Sequence, residues 1–254
     1  MDVSKLCTER GELALCWTGN AGWLLGTEGL LIGIDLDLQP GEGRLVGPAV
    51  RVEDVVAPLS FAFVTHGHND HLNRYTCGAL ARDSECTFVL PANCREAALE
   101  LGVPQERIRV AVPGQPFELP GIRVSPLRAI HGHKDFTVYQ GANLEDCGYL
   151  LTLAGKRILH PGDSLLLPEH LHSGPLDVLF VSPTEHNTHV ERSAALIESL
   201  KPAHVFPQHY GTYKTTDANR FWTQGYPDQL RAQLSEAMQA RYHKLEQGAV
   251  FVLK

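Results

Sequence analysis

The sequence lacks any long hydrophobic run, and this absence excludes a membrane-spanning helix. Such a helix needs about 20 consecutive apolar residues, and no comparable stretch occurs among the 254 residues. The first residues include an acid, Asp2, and no apolar segment of signal-peptide form. We therefore predict a cytoplasmic protein that has no membrane span.

A surplus of positive charge and paired cysteines are missing as well. The net charge is -7 at pH 7 with neutral histidines, so the surface repels phosphate backbones, which argues against a general nucleic-acid binder. The six cysteines form no C-x-x-C pair, so their spacing argues against a thiolate metal cluster. We expect them to be buried as small hydrophobic side chains: Cys7, Cys16, Cys77, Cys86, Cys94 and Cys147.

The sequence has no repeat of fixed period, no low-complexity tract and no linker, which predicts a single domain over residues 1–254. Short apolar runs between Gly, Pro and Asn predict strands at 13–17, 22–25, 30–36, 61–65, 87–90, 107–112, 122–127, 148–153, 156–160, 176–182, 203–206 and 248–254. Amphipathic patterns predict helices at 92–102, ending at Gly102, at 189–201 and, longest of all, at 227–244. Strands followed by strands mixed with helices indicate an α/β fold in which helices cover the sheets.

The sequence is rich in histidine, with 13 residues, and several of them crowd into "FAFVTHGHNDHLN" at 61–73. On extended backbone, His66 and His68 point the same way and can meet at one metal ion. Asp70 and His71 follow after a turn and can reach a second point nearby. The buried strand that precedes them gives a rigid base. A metal site explains this pattern better than a solvated loop with incidental histidines.

Further metal-ligand candidates follow apolar runs downstream. "AIHGHK" offers His131 and His133 as alternatives, "HPGDS" offers Asp163, and "PQHYGT" offers His209. A two-metal site needs several neutral nitrogen ligands and a carboxylate that bridges the ions. The chain contains this set, with each member placed where a predicted strand passes into a loop.

Other polar residues near these motifs have two interpretations. His186 and His189 lie before a predicted helix, where they can serve as proton donors or substrate contacts. Asn187 or Thr188 can instead cap that helix, which would leave these histidines without a role. We interpret His160 as a buried, hydrogen-bonded residue. Four basic side chains near the motifs can either bind an anionic group of the substrate or lie solvated on the surface: Arg74, Lys134, Lys214 and Arg220.

The motifs resemble those of the metallo-β-lactamase superfamily over nearly the whole chain. "THGHNDH" is similar to its His-x-His-x-Asp-His signature, "IDLDL" to its early strand ending in aspartate, "HPGDS" to its Gly-Asp turn and "QHYGT" to its terminal histidine loop. The resemblance implies a four-layer αβ/βα sandwich of two mixed sheets with helices outside. It also implies two divalent ions at one edge, with a water or hydroxide between them.

Carried over residue by residue, the resemblance implies seven metal ligands: His66, His68, Asp70, His71, His131, Asp163 and His209. His66, His68 and His131 would bind one ion, Asp70, His71 and His209 would bind the other, and Asp163 would bridge. The family places its third histidine directly after the strand, which favours His131 over His133. Asp35 would accept a hydrogen bond from a ligand histidine and fix its tautomer.

The chemistry that follows is hydrolysis of a small ester, lactone, amide or phosphoester by activated water. Asp70 and Asp163 are the predicted catalytic carboxylates, which orient the nucleophile or accept its proton. Zinc is the first expectation for the metal, with manganese or iron(II) as alternatives. We expect a small-molecule substrate and no nucleic acid, and the sequence does not indicate an oligomeric state.

Within the superfamily, residues 50–73 and 196–213 resemble the branch that contains L-ascorbate-6-phosphate lactonase and N-acyl-phosphatidylethanolamine phospholipase D. Two other enzymes of this fold remain alternatives, an iron-dependent oxidoreductase resembling persulfide dioxygenases and a thioester hydrolase resembling glyoxalase II. A binding or scaffold protein with vestigial ligands is a third. The full set of ligand residues favours two metals and hydrolysis.

Overall fold

The computed structural model describes residues 1–6, 8–41, 43–134 and 137–254. Over these ranges the strands are β1 Leu13–Gly19, β2 Gly22–Thr27, β3 Leu30–Ile34, β4 Leu59–Phe63, β5 Thr87–Pro91, β6 Ile108–Ala111, β7 Phe117–Leu119, β8 Ile122–Arg128, β9 Cys147–Leu153, β10 Lys156–His160, β11 Val178–Val181, β12 His204–Pro207 and β13 Val250–Leu253. The α-helices are α1 Val52–Val55, α2 Arg74–Asp83, α3 Arg95–Glu100, α4 Pro168–Leu171, α5 His189–Leu200, α6 Arg220–Thr223, α7 Pro227–Gln233 and α8 Glu236–Gln239.

The strands form two mixed sheets of similar design. One sheet has the order β13-β1-β2-β3-β4-β5-β6, and the other has the order β12-β11-β10-β9-β8-β7. In the first, β3 to β6 run parallel and the remaining neighbours are antiparallel. In the second, β10 to β12 run parallel. Parallel neighbours need crossover connections, and helices α1 to α5 supply most of them.

The sheets pack face to face because alternate side chains of each strand point to opposite sides. In β1, Leu13, Leu15 and Trp17 belong to the core between the sheets, whereas Ala14 and Cys16 belong to the outer core. Both sets are buried, so residues 13–17 are all apolar instead of alternating with polar residues.

Helices cover the two outer faces. Side chains of α1, α2 and α3 complete the outer core of the first sheet, and those of α5, α7 and α8 complete the outer core of the second. The layer order is therefore helix, sheet, sheet, helix, which confirms the predicted α/β sandwich. In the part of the chain that the structure describes, none of the helices combines the length and apolar character required to traverse a bilayer.

The predicted helix over 227–244 is wrong as a single element, because α7 ends at Gln233 and α8 starts at Glu236. Between them, Ser235 leaves the helical ladder, and its backbone N–H and hydroxyl both donate to the carboxylate of Glu198, at 2.7 and 3.1 Å. Leu234 is buried in the outer core at this break. A charge-assisted contact and one buried side chain thus outweigh continuous helix propensity.

Helix α2 was not anticipated, although its start carries a recognisable signal. Asn73 precedes it, and the Asn73 side chain accepts a hydrogen bond from the backbone N–H of Thr76, as an N-cap residue does. The helix predicted at 92–102 is present as a 3₁₀ turn followed by α3, and Gly102 ends it with a φ of +87°. The cysteines at 16, 77, 86, 94 and 147 are buried and free, while Cys7 lies outside the described residues.

Candidate metal centre

Side chains that follow five strand ends converge at one edge of the sandwich. Asp35 follows β3, His66 follows β4, Asp163 follows β10, His186 follows β11 and His209 follows β12. All five strands belong to the parallel parts of the two sheets. The carboxyl ends of parallel strands are where open α/β sheets place ligand sites.

All seven residues that the sequence predicts as ligands lie in this cluster: His66, His68, Asp70, His71, His131, Asp163 and His209. His66, His68 and His131 each offer one ligand atom, and the three atoms lie within 4.8 Å of one another. The same is true of His66, His71 and Asp163. His209 Nε2 lies 3.0 Å from Asp163 Oδ1, and His71 Nε2 lies 3.5 Å from Asp70 Oδ2.

Four histidines of the cluster hold Nδ1 against an oxygen that can only accept a hydrogen bond. The pairs are His71 with Asp35 Oδ2 (2.8 Å), His131 with Gly132 O (2.6 Å), His186 with Phe221 O (3.0 Å) and His209 with Trp222 O (3.2 Å). In each ring Nδ1 must carry the proton. A neutral imidazole at His71, His131 or His209 then presents the lone pair of Nε2, which is the tautomer that ligates a metal through Nε2. His186 differs, because its Nε2 can hold the Asp163 carboxylate by a hydrogen bond only when that nitrogen carries a proton too.

These Nε2 atoms surround the carboxylate of Asp163. Oδ2 of Asp163 lies 2.6 Å from His186 Nε2, 3.4 Å from His71 Nε2 and 3.7 Å from His131 Nε2. Carboxylate oxygens and unprotonated imidazole nitrogens are all electron-pair donors, so the arrangement requires positive charge among them. Nitrogen with carboxylate oxygen is the ligand set that zinc and related divalent ions take, and the residues present fit such ions.

Two buried nitrogens strengthen this fit. Nε2 of His71 and Nε2 of His209 are buried, and among the described residues neither has a hydrogen-bond partner. The 3.0 Å approach of His209 to Asp163 has the distance of a hydrogen bond but not its orientation. Buried polar atoms without partners are rare because each costs about 1–3 kcal/mol. A metal ligand atom needs no hydrogen bond, which explains both.

The electrostatics of the cluster favour a cation. Burial by itself would raise the pKa of Asp163, but His209, His71 and His186 hold this pKa well below its usual range. Burial by itself would lower the pKa of His71, but Asp163 and two further carboxylates raise it well above its usual range. Burial lowers the pKa of His131 to about 4, so this imidazole is neutral at pH 7 and can donate its lone pair.

Asp35 supports the cluster from behind. It is fully buried, its Oδ1 accepts the Thr65 backbone N–H at 2.8 Å, and its Oδ2 accepts the Thr65 hydroxyl at 2.7 Å. The same Oδ2 accepts the Nδ1–H of His71, which is the hydrogen bond expected from the sequence. Asp35 has a φ of +47°, a region that Asp tolerates better than most residues, and its N–H donates to Phe63 O at the end of β4.

Sequence reasoning missed two amides that hold the cluster's carboxylates. Asn20 Nδ2 donates to Asp70 Oδ2 at 2.9 Å, and Asn187 Nδ2 donates to Asp163 Oδ1 at 3.0 Å. Asn20 lies in the tight turn between β1 and β2, with a φ of +50°. The available signal was an amide side chain in a turn between two strands, close to a predicted site.

The interpretation of Asn187 or Thr188 as a helix cap holds for the position of Thr188 but not for a side-chain cap. Thr188 is the N-cap of α5, but its side chain makes no cap hydrogen bond; its hydroxyl pairs with Ser193 Oγ at 2.6 Å. His189 lies apart from the cluster, with Nδ1 at 2.7 Å from Glu191 Oε2. Of the two open histidines, only His186 joins the cluster.

His133 and His160 occupy the positions expected of them. His131 lies in the cluster, whereas the ring of His133 stacks on Tyr139 with centroids 6.1 Å apart. His160 is fully buried, with Nε2 at 3.2 Å from the Ala21 carbonyl oxygen.

A pocket of about 270 Å³ opens beside the cluster and includes His68, Asp70, His131, Asp163 and His186 in its lining. Four further rings complete the lining and are called the aromatic wall: His133, Tyr139, Phe221 and Trp222. The volume lies near the lower end of the range for small-molecule sites, roughly 300–1,000 Å³.

Comparison with known proteins identifies relatives of this chain. The sequence profile described as "Beta-lactamase superfamily domain" matches residues 34–210. A UPF0173 protein of Pyrococcus furiosus is 28% identical over 212 residues, which cover 82% of this chain and 89% of that protein. A UPF0173 metal-dependent hydrolase of Thermococcus kodakarensis is 31% identical over 171 residues, which cover 65% and 72%.

Solved structures agree at the level of the fold. Igni18, described as a novel metallo hydrolase from Ignicoccus hospitalis, superposes with a TM-score of 0.71 at 19% identity and covers 96% of this chain and 99% of its own. The matched profile spans the segments that contribute the cluster, from the residue before Asp35 to the residue after His209. This chain therefore belongs to the metallo-β-lactamase superfamily and to its UPF0173 family of metal-dependent hydrolases.

Proposed function

We propose that this enzyme holds two divalent metal ions and hydrolyses a small ester, lactone or phosphoester. In this proposal His66, His68 and His131 would hold one ion, Asp70, His71 and His209 would hold the other, and Asp163 would serve both. The observation that carries this proposal is the set of anchored imidazoles whose Nε2 lone pairs surround Asp163. Zinc suits this donor set, and manganese or iron(II) are the alternatives.

The ions, when bound, lower the pKa of a coordinated water and polarise a carbonyl or phosphoryl oxygen. The protein's part is to orient the nucleophile and to move its proton. Asp70 is suited to this part because it lines the pocket, its side chain is 23% exposed, and Asn20 fixes Oδ2. Burial would raise the pKa of Asp70, but His71 and His209 hold it below its usual value, so the carboxylate is ionised and can accept a proton.

Asp163 and His186 act as a pair in this scheme. Asn187 fixes one oxygen of Asp163, and His186 Nε2 lies 2.6 Å from the other. The Phe221 carbonyl oxygen accepts a hydrogen bond from the other ring nitrogen of His186, Nδ1. We assign His186 as a positioning residue that orients Asp163, and we place its ring at the pocket as a contact for the substrate.

The alternatives make different demands on the cluster. An iron-dependent oxidoreductase that resembles persulfide dioxygenases would leave His71 without a metal, yet His71 Nε2 is buried and lacks a partner among the described residues. The resemblance to the lactonase and phospholipase D branch, and that to glyoxalase II, concern the substrate and remain predictions. Both keep the same hydrolytic chemistry.

Metal analysis of the purified, zinc-reconstituted chain tests the proposal. We expect two equivalents of divalent metal per chain and turnover of at least one member of a panel of γ-butyrolactone, phenyl acetate and bis(4-nitrophenyl) phosphate. His68→Ala should reduce metal content and bring turnover to background. The matched control is His172→Ala, because His172 is exposed and contacts only the Pro168 carbonyl oxygen among the bonds described.

Full turnover after exhaustive chelation, or in His68→Ala, would exclude the proposed site. Oxygen consumption with a persulfide substrate by protein that contains a single iron would favour the oxidoreductase instead.

A further inference from the structure

The aromatic wall defines a face of the pocket that the proposed chemistry does not use. Three of its rings contact one another: His133 stacks on Tyr139 at 6.1 Å, and His133 also lies 5.1 Å from Phe221. Trp222 packs edge-on against Tyr213, with centroids 5.5 Å apart. The wall also meets the candidate ligands, because the Tyr139 ring lies 5.5 Å from His68.

The backbone of the wall fixes the cluster, so its side chains are free for another role. The carbonyl oxygen of Phe221 holds His186, and the carbonyl oxygen of Trp222 holds His209. The Tyr139 N–H donates to the His131 carbonyl oxygen at 2.9 Å. Removing a wall side chain leaves these main-chain contacts in place. The rings themselves line the pocket and are half-buried, which leaves apolar surface available for a ligand.

Positive charge is missing from this pocket. Among the described residues that line it, none is lysine or arginine. Arg220 precedes Phe221, but its side chain points to Glu185, with Nε at 3.7 Å from Oε1. An anionic group bound away from the metal ions would therefore face Asp70 without a countercharge. Desolvating such a group without a partner is unfavourable.

Resting on the proposed function, we infer that the aromatic wall binds the flat, uncharged and apolar part of a small carbonyl substrate. The reacting carbonyl lies at the metal cluster, and an aryl or similar planar group lies against Phe221 and Trp222. Aromatic rings favour offset-stacked or edge-to-face contacts with such a group. The pocket volume of about 270 Å³ admits only a small molecule. On this inference a sugar phosphate, whose charge lies away from the scissile bond, binds poorly.

Binding of unreactive ketones to the zinc-loaded chain tests this inference without turnover. Acetophenone presents a carbonyl and a phenyl ring, and 2-butanone lacks the ring. 4-Acetylbenzenesulfonate adds a negatively charged sulfonate group, which is itself a weak zinc ligand. By ligand-observed NMR titration, we expect acetophenone to bind at least about tenfold more tightly than either of the others.

Variants then locate the contact. Trp222→Ala should weaken acetophenone binding by about fivefold or more and leave 2-butanone binding unchanged. Phe221→Ala is the second variant, in case the loss of Trp222 disturbs Tyr213. Tyr75→Ala is the matched control, because Tyr75 is 42% exposed and lines a different groove with Arg74 and Arg82.

Metal content separates the two proposals. If the chain binds no metal, the proposed function fails, whatever the ketones do. If two equivalents of metal are bound, the inference is overturned by any of three results: no acetophenone binding, equal binding of the sulfonate or of 2-butanone, or unchanged acetophenone affinity in both wall variants.

Discussion

His71 and Asp35 form a fully buried pair, in which His71 Nδ1 donates to Asp35 Oδ2 across 2.8 Å. The Asp35 carboxylate also accepts two hydrogen bonds from Thr65, so both of its oxygens are fixed. This geometry determines which nitrogen of His71 faces the cluster. Because Asp35 directly follows β3 and is fixed by Thr65, which follows β4, the fold itself sets the tautomer of a candidate ligand.

The first prediction is that Asp35→Asn weakens metal binding. An asparagine that keeps its oxygen toward Thr65 turns its Nδ2 donor toward His71 Nδ1, which must then become an acceptor. The proton of His71 moves to Nε2, and that nitrogen can no longer bind a metal ion. We expect about a 10- to 100-fold loss of affinity at one of the two positions, measured by titration against a competing chelator.

Asp177→Asn is the control for this change. Asp177 also accepts a backbone hydrogen bond, from the Arg157 N–H at 2.7 Å, but it lies at the opposite end of β10 from the cluster. If Asp35→Asn binds both metal ions as tightly as the wild type does, Asp35 does not control the tautomer of His71.

The second prediction separates positioning from ligation at His186. In His186→Ala, Asp163 keeps its contact with Asn187 but loses the one with His186. We expect metal content to stay at two equivalents while kcat for the best substrate of the panel falls by about 100-fold. His189→Ala, three residues along the chain, should keep the metal content and kcat of the wild type, because the His189 ring contacts Glu191 outside the cluster. A loss of bound metal in His186→Ala would instead make His186 a ligand.

Much of the site could be predicted because its ligands follow short apolar runs of the sequence. In β4 and β12 the hydrophobic run ends abruptly, and the polar residues His66 and His209 follow within a few positions. The superfamily motifs occur at these same places. The resemblance supplied the grouping into two ions, which residue spacing alone does not determine and which remains a proposal, as does the single domain over 1–254.

The aromatic wall could not be predicted, since nothing local marks it. Phe221 and Trp222 lie in a helix of four residues, α6, which is too short for a hydrophobic period to appear. Their carbonyl oxygens meet His186 and His209 only through tertiary structure. The break at Ser235 has a similar cause, because its partner Glu198 lies on another helix.

The third prediction concerns acid stability and depends on His170, which lies on α4 and is not one of the candidate ligands. Burial lowers the pKa of His170 to about 4, only partly offset by Glu169. In the unfolded chain this pKa returns to about 6.5. Between these values the unfolded state binds a proton that the folded state excludes. The histidine therefore leaves stability intact above about pH 6.5 and reduces it as the pH falls toward 4.

His170→Leu removes this titration and leaves every other histidine in place. Between pH 7 and pH 5, we expect the wild type to lose about 2 kcal/mol more of its free energy of unfolding than the variant does, as measured by urea denaturation. The variant also loses the hydrogen bond from the Leu167 N–H, which can change its free energy of unfolding at pH 7. The test compares only the loss of unfolding free energy between pH 7 and pH 5 in each protein, so that change does not affect the result. Equal acid sensitivity of the two proteins would show that His170 is protonated as readily in the folded chain as in the unfolded one.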